Sequence, residues 1–207
     1  MENLAFKLNW DFNHSEDPGK DAFCWNKQKY LDLAGDMYST TREISLPKTI
    51  YFQANFDLIP RYDYPLTDLR IPILSKKMLS TLINVKEFEF RSIPIVMIDF
   101  RYLDYPFDSK EQLKSDVQRN YDYVAIQIME YSDCFDYKNS VFEMFLSRVS
   151  YISKLVLKCP IEGFPPVFIL KECPFIFVSK DAKEALEANG IKGCVFEPVE
   201  VTTLFLI

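Results

Sequence analysis

The segment from Phe175 to Pro198 constrains the fold more than any other part of the chain. Ile176-Phe-Val is an apolar run of strand length, and Ser179 follows it as a helix N-cap. Asp181 falls in the first turn, where the helix dipole favours a carboxylate. Ala182, Ala185 and Leu186 recur at the spacing of one helical face, and Asn189-Gly190 stops the helix before Val195-Phe-Glu resumes extended. The segment is a buried strand, a capped helix, a glycine stop and a second strand. It offers no catalytic group.

A similar order occurs earlier. Ile71-Pro-Ile-Leu leads into Ser75, and Met78, Leu79, Leu82 and Ile83 then share one helical face. Asn84 is expected to end this helix in a left-handed conformation. Phe88 and Phe90 alternate with Glu87 and Glu89, the pattern of a strand with one wet face. Aligning Val85-Lys86 with Ile191-Lys192, and Phe90 with Phe196, suggests an internal duplication of a strand–helix–strand unit. The alternative is two unrelated capped helices, since such caps recur in many proteins.

The rest is strand-rich. Leu4, Phe6, Leu8 and Trp10 alternate with Ala5, Lys7 and Asn9, and Ile50 to Phe56 reads as another strand. Residues 14–20 form a turn-rich loop, and residues 60–68 an irregular connection. In Ile93 to Phe100, Pro94 favours a bulge or an edge position. Ser109 to Gln118 predicts a short helix capped by Ser109. Tyr121 to Glu130 predicts a central strand, and Ile152 to Leu157 an extended one. The fold class expected is α+β: a mixed or antiparallel sheet with a few short helices. The expected division is an N-terminal strand-rich region over 1–60 packed on a main domain over 61–207, with one continuous domain over 1–207 as the alternative.

At 207 residues and 48% hydrophobic content the chain can bury a real core. The net charge of −6 argues against nucleic acid, which wants a basic face, and suits a basic protein partner. Five cysteines without a C-x-x-C spacing argue against a disulfide framework or zinc knuckle and for a reducing compartment. Met1-Glu-Asn-Leu-Ala-Phe-Lys starts strand-like and charged, and runs such as Ile93 to Ile98 are too short to span a bilayer. A cytoplasmic protein without membrane contact is expected.

Catalytic signatures are sparse. The one histidine, His14, sits in a polar loop beside Glu16 and Asp17, where solvation is the commoner role. Gly163 and Gly190 stand far from any phosphate-loop spacing, and no G-x-S-x-G occurs. No cofactor, metal ligand set or catalytic residue is therefore expected. The stretch from Asp99 to Asp136 is different, for it interleaves acids with tyrosines. Tyrosine supplies stiff contact area with a polar tip, and carboxylates around it would steer a basic partner. The candidate partner-binding residues are Tyr121, Tyr123, Tyr131, Asp133, Asp136 and Tyr137. The opposing reading is that the rings pack the core and the acids fill turns.

Three segments carry a resemblance: Thr67-Asp-Leu-Arg-Ile-Pro-Ile-Leu-Ser-Lys-Lys-Met-Leu; Tyr123-Val-Ala-Ile-Gln-Ile through Asp133-Cys-Phe-Asp136 to Ser140-Val-Phe-Glu143; and Pro174 to Glu200, with Gly193-Cys-Val-Phe-Glu-Pro. Over roughly residues 65–200 the chain resembles the eleventh described class of bacterial polymorphic-toxin immunity proteins, long catalogued as a domain of unknown function. Gln127 departs from it, standing where an Asn is usual. The resemblance implies a non-enzymatic inhibitor that binds and neutralises a cognate toxin by steric occlusion, with no shared catalytic residues. Two other readings stay open: a small enzyme using carboxylates and a Tyr, marked by a deep pocket with a raised carboxylate pKa, and an accessory structural subunit, marked by a large exposed apolar area.

Overall fold

The alternating segments become strands because each has a face to bury. The computed structural model describes residues 4–13, 21–38, 45–129 and 131–202. Its elements are β1 (Ala5–Trp10), β2 (Ala22–Cys24), α1 (Leu33–Asp36), β3 (Ile50–Ala54), β4 (Ile73–Ser75), α2 (Lys76–Val85), β5 (Phe90–Asp99), β6 (Arg119–Ile128), β7 (Val141–Phe145), β8 (Arg148–Lys154), β9 (Val156–Lys158), β10 (Val167–Ile169), β11 (Ile176–Ser179), α3 (Lys180–Ala188), β12 (Cys194–Pro198) and β13 (Glu200–Thr202). The fold is α+β. One five-stranded mixed sheet runs β2-β3-β5-β6-β4, one four-stranded antiparallel sheet runs β10-β11-β1-β12, and β7-β8 and β9-β13 form two-stranded pairs. His14, with Glu16 and Asp17, lies outside the described residues.

The two strand–helix–strand units take the same form. In the first, β4 and β5 both pair antiparallel with β6, which lies between them. In the second, β11 and β12 both pair antiparallel with β1. The flanking strands therefore run the same way in each. The register agrees too: Leu74 and Pro94 both face Val124, and Val178 and Pro198 both face Phe6, so each unit places residues twenty apart opposite one partner. This register corrects the alignment by phenylalanines, because Phe196 faces Leu8 as Ser92 faces Ile126, and Phe90 corresponds to Cys194.

The N-caps match as well. Ser75 Oγ accepts the Met78 amide at 3.0 Å, and Ser179 Oγ accepts the Ala182 amide at 3.2 Å. The C-termini differ. Gly190 (φ 63°) closes α3 while the Ile191 amide donates to the Leu186 carbonyl, a Schellman ending. Helix α2 instead runs through Asn84 to Val85 and leaves into extended Lys86, so the expected left-handed Asn84 does not occur.

The helices α2 and α3 pack on each other between the sheets. Met78, Leu82, Ala182 and Leu186 meet Ile126 and Ile128 from one sheet and Phe6, Leu8 and Val178 from the other. Ile50, Phe52, Ile93 and Ile95 form a second core on the far face of the five-stranded sheet, and Phe168, Phe177, Phe135 and Leu157 a third beyond the four-stranded one. Residues before 60 thus supply a middle strand to one sheet and β2 and β3 to the other.

Two local expectations fail. Ser109 to Gln118 is not helical: the Asp108 carboxylate accepts the Lys110 and Gln112 amides, and the Asp108 amide donates to the Gln112 carbonyl. The Asp side chain thereby offers the backbone turn bonds in place of helical ones. Pro94 also lies on neither an outer strand nor a bulge. It stands one residue before the β3 ladder begins at Ile95, and the register shift follows between Ile95 and Met97.

Candidate functional site

The segment from Tyr131 to Ser140 is stitched down along its length. Tyr131 bridges Ile169, the Ser132 amide donates to the Ile169 carbonyl, and Phe135 bridges Leu157. Cys134 and Phe135 are buried in the third core. Ser140 then holds Val156 twice, its hydroxyl donating to the Val156 carbonyl at 3.1 Å and accepting the Val156 amide at 3.0 Å. This tether is the base of the β7–β8 hairpin.

The six candidate residues divide. Tyr131 and Tyr137 come together in one open cleft of about 1100 Å³. Asp32 and Asp36 of the α1 region, Met144, Arg148 and Val149 of the hairpin, and Lys171 and Glu172 line it with them. The Tyr137 ring packs edge-on against Phe135 (4.7 Å) and Phe142 (5.6 Å), joining the segment to the hairpin base. Asp133 is exposed but lines a separate depression with Lys86 and Ile161, and Tyr121 is exposed on β6.

Tyr123 and Asp136 are not surface groups, which corrects the expectation for both. Tyr123 is 3% exposed, and its hydroxyl donates to the Ile59 carbonyl at 2.6 Å, within 3.0 Å of that of Tyr62; burial pushes its pKa up. Asp136 is 2% exposed. Burial alone would raise its carboxyl pKa. The Asn139 and Thr202 side chains and the Lys138 and Asn139 amides donate to it and outweigh that, holding the pKa at about 2. Asp136 therefore ties the hairpin base to β13.

Every resolved shift moves its group away from neutrality. The Tyr137 hydroxyl donates to Glu172 and is held up to about 12. Burial pushes the thiols of Cys24, Cys134, Cys173 and Cys194 up to about 12. The Arg101 guanidinium holds the Asp99 carboxyl below its usual range. None of these groups is poised to exchange a proton near pH 7, and the buried carboxylates among the described residues, Asp99 and Asp136, are both lowered and not raised. Among the described residues no three His, Cys, Asp or Glu side chains are grouped to hold a metal ion, and no helix is long and apolar enough to cross a membrane.

The hairpin is the part that sequence reasoning missed. Its side chains are nearly all outside: Phe145 is 68% exposed and Leu146 82%, with Val141, Met144 and Tyr151 each more than half exposed. Its turn places Leu146 (φ 46°) and Ser147 (φ 60°) in the left-handed region. Two-residue hairpins of that geometry usually carry Asn-Gly, so Leu-Ser gives no hairpin signal in the sequence. The available signal was two apolar runs, Val141–Phe145 and Val149–Ile152, on either side of it.

No curated protein matches the chain. Over residues 107–201, which include β6, the whole hairpin, α3 and β12, the chain matches the model of the Immunity protein family (Imm11), the kind of family the sequence resembles.

Proposed function

We propose that this chain is a cytoplasmic immunity protein that binds a cognate toxin domain and neutralises it by occlusion, without chemistry of its own. One observation carries the reading: the segment matching an immunity family is also the segment that sets out the hairpin's exposed apolar side chains. Soluble proteins rarely present such a surface without a partner. The pKa pattern supports it, since tyrosines, thiols and carboxylates are all held in the states they already occupy at neutral pH. The test is co-expression with the product of the neighbouring gene. The expected result is a product that stops growth alone, growth restored with this chain, and a complex that survives size-exclusion chromatography. A toxin that kills equally well in its presence refutes the reading.

The same exposed hairpin also favours a second reading, an accessory subunit with a constitutive partner. Purification of the chain from its native host distinguishes the two. A stoichiometric partner with no toxic activity supports the subunit.

A further inference from the structure

The hairpin differs from an ordinary surface in three ways. Its apolar groups border two depressions: Met144 lines the Tyr137 cleft, Phe145 and Leu146 line a second, and Val149 lines both. Its amount of surface is also that of an interface. Tyr137, Val141, Met144, Phe145, Leu146 and Tyr151 are each at least half exposed. With about 150–250 Å² per large side chain they present roughly 700–800 Å² together, close to the roughly 800 Å² per partner of a standard complex. Its charge, finally, is unlike that of the whole chain. Arg148 at the turn and Lys171 beside it make no ion pair among the described residues, although the protein carries a net charge of −6.

We infer that the β7–β8 hairpin is the arm by which this protein engages its toxin. Phe145 and Leu146 insert into an apolar recess of the toxin domain, and Arg148 and Lys171 meet carboxylates on the rim of that recess. This rests on the toxin-binding reading above. At the tip it departs from the expectation of a basic partner, because the charged group at the turn, Arg148, is a cation. An apolar tip that stands out from a held base fits a concave partner: Phe145 and Leu146 are 68% and 82% exposed, while the Ser140–Val156 and Asp136–Thr202 bonds hold the base. Asp32 and Asp36, which line the cleft beside the arm, then meet the portion of the toxin that enters it.

The test uses the full chain and the purified toxin domain encoded beside it, with affinity measured by titration calorimetry. The double variant Phe145→Asp/Leu146→Asp is expected to bind at least 100-fold more weakly, and Arg148→Glu about 10-fold more weakly with a flatter salt dependence. Leu103→Asp, at an exposed position that lines neither depression, is expected to stay within twofold. Hydrogen exchange reads the same site without substitution, since amides of 141–154 should slow when toxin is added. Unchanged affinity in a folded double variant, or no slowing over 141–154, overturns the inference and leaves the functional reading intact. A wild-type chain that does not bind the toxin at all sinks the functional reading, and the inference with it. Wild type that dimerises in light scattering, with the double variant monomeric, makes a second copy the occupant and overturns the assignment.

Discussion

The two strand–helix–strand units and the β7–β8 hairpin use the same alphabet to opposite ends. In the units, alternating apolar side chains close on each other: Leu82 and Leu186, from the two helices, are both fully buried in one shared core. In the hairpin, an equally apolar run meets no second layer, and Leu146 remains 82% exposed. The units also spend their polar groups inward, on two Ser caps with matching bonds, whereas in the hairpin Lys154 pairs with Glu200 at the base and Arg148 at the turn makes no ion pair among the described residues. Burying apolar surface is the main drive of folding, at about 25 cal/mol per Å². A segment that leaves it exposed gains nothing from it until a partner arrives. The first region is therefore a buried scaffold and the second an exposed surface, which the toxin-binding proposal assigns to a partner.

Core truncation gives the largest expected effect. Leu82→Ala and Leu186→Ala should each cost about 2–5 kcal/mol in denaturant unfolding, because both sites are closed on every side. Leu146→Ala should fall within about 0.5 kcal/mol of wild type. A comparable loss at all three positions breaks the distinction between scaffold and surface.

Asp136 comes next, as the residue that joins the two regions. Asp136→Ala should cost about 2–4 kcal/mol, since Thr202, Asn139 and two amides lose their acceptor. The acid dependence carries a sign. The carboxyl pKa lies at about 2 in the folded chain, below its unfolded value of about 3.9. Its contribution is thus complete above about pH 4 and disappears as pH falls toward about 2. Wild type should lose more stability across that window than Asp136→Asn, as read from urea midpoints. Parallel curves would show that the carboxylate charge is not what holds the hairpin base.

The two caps sharpen the comparison within the scaffold itself. Ser179→Ala should cost about 1 kcal/mol, the ordinary loss of an N-cap. Ser75 does more, because its hydroxyl also donates to Asp63 at 2.6 Å while the other Asp63 oxygen accepts the Lys192 amide in the approach to β12. Ser75→Ala should therefore cost roughly 1–3 kcal/mol, since it strips a donor from a part-buried carboxylate. Equal losses would mean the Asp63 link between the units carries no weight.

What the sequence disclosed follows the range of the interactions involved. Ser75, Ser179 and Gly190 were legible because a cap or a Schellman turn is decided within a few residues. The register was not, because the middle strands come from β6, after the first unit, and from β1, far before the second. Asp136 read as a surface acid because its partner Thr202 lies 66 residues away and cannot be seen locally. Tyr121 and Tyr123 looked alike, since strand alternation alone would put both on one face, yet one is exposed and one buried because the register shift opposite Ile95–Met97 interrupts that alternation. Tyr131 and Tyr137 were found, but the cleft they share needed β7, β8 and α1 to be brought beside them.

The smallest expected effect tests the hairpin turn. Leu146 and Ser147 hold φ values of 46° and 60° that suit Asn and Gly better. A left-handed conformation costs a residue such as leucine about 1–2 kcal/mol. Leu146→Asn with Ser147→Gly removes that cost and should raise stability by about 0.5–1 kcal/mol, the higher loop entropy of glycine in the unfolded chain offsetting part of the gain. The same change deletes the most exposed apolar side chain of the tip. On the toxin-binding proposal, stability should rise while toxin affinity falls, measured on the same protein by thermal unfolding and calorimetry. A surface retained for folding would lose both together. Opposite signs are what a turn kept strained for the sake of its Leu146 side chain must give.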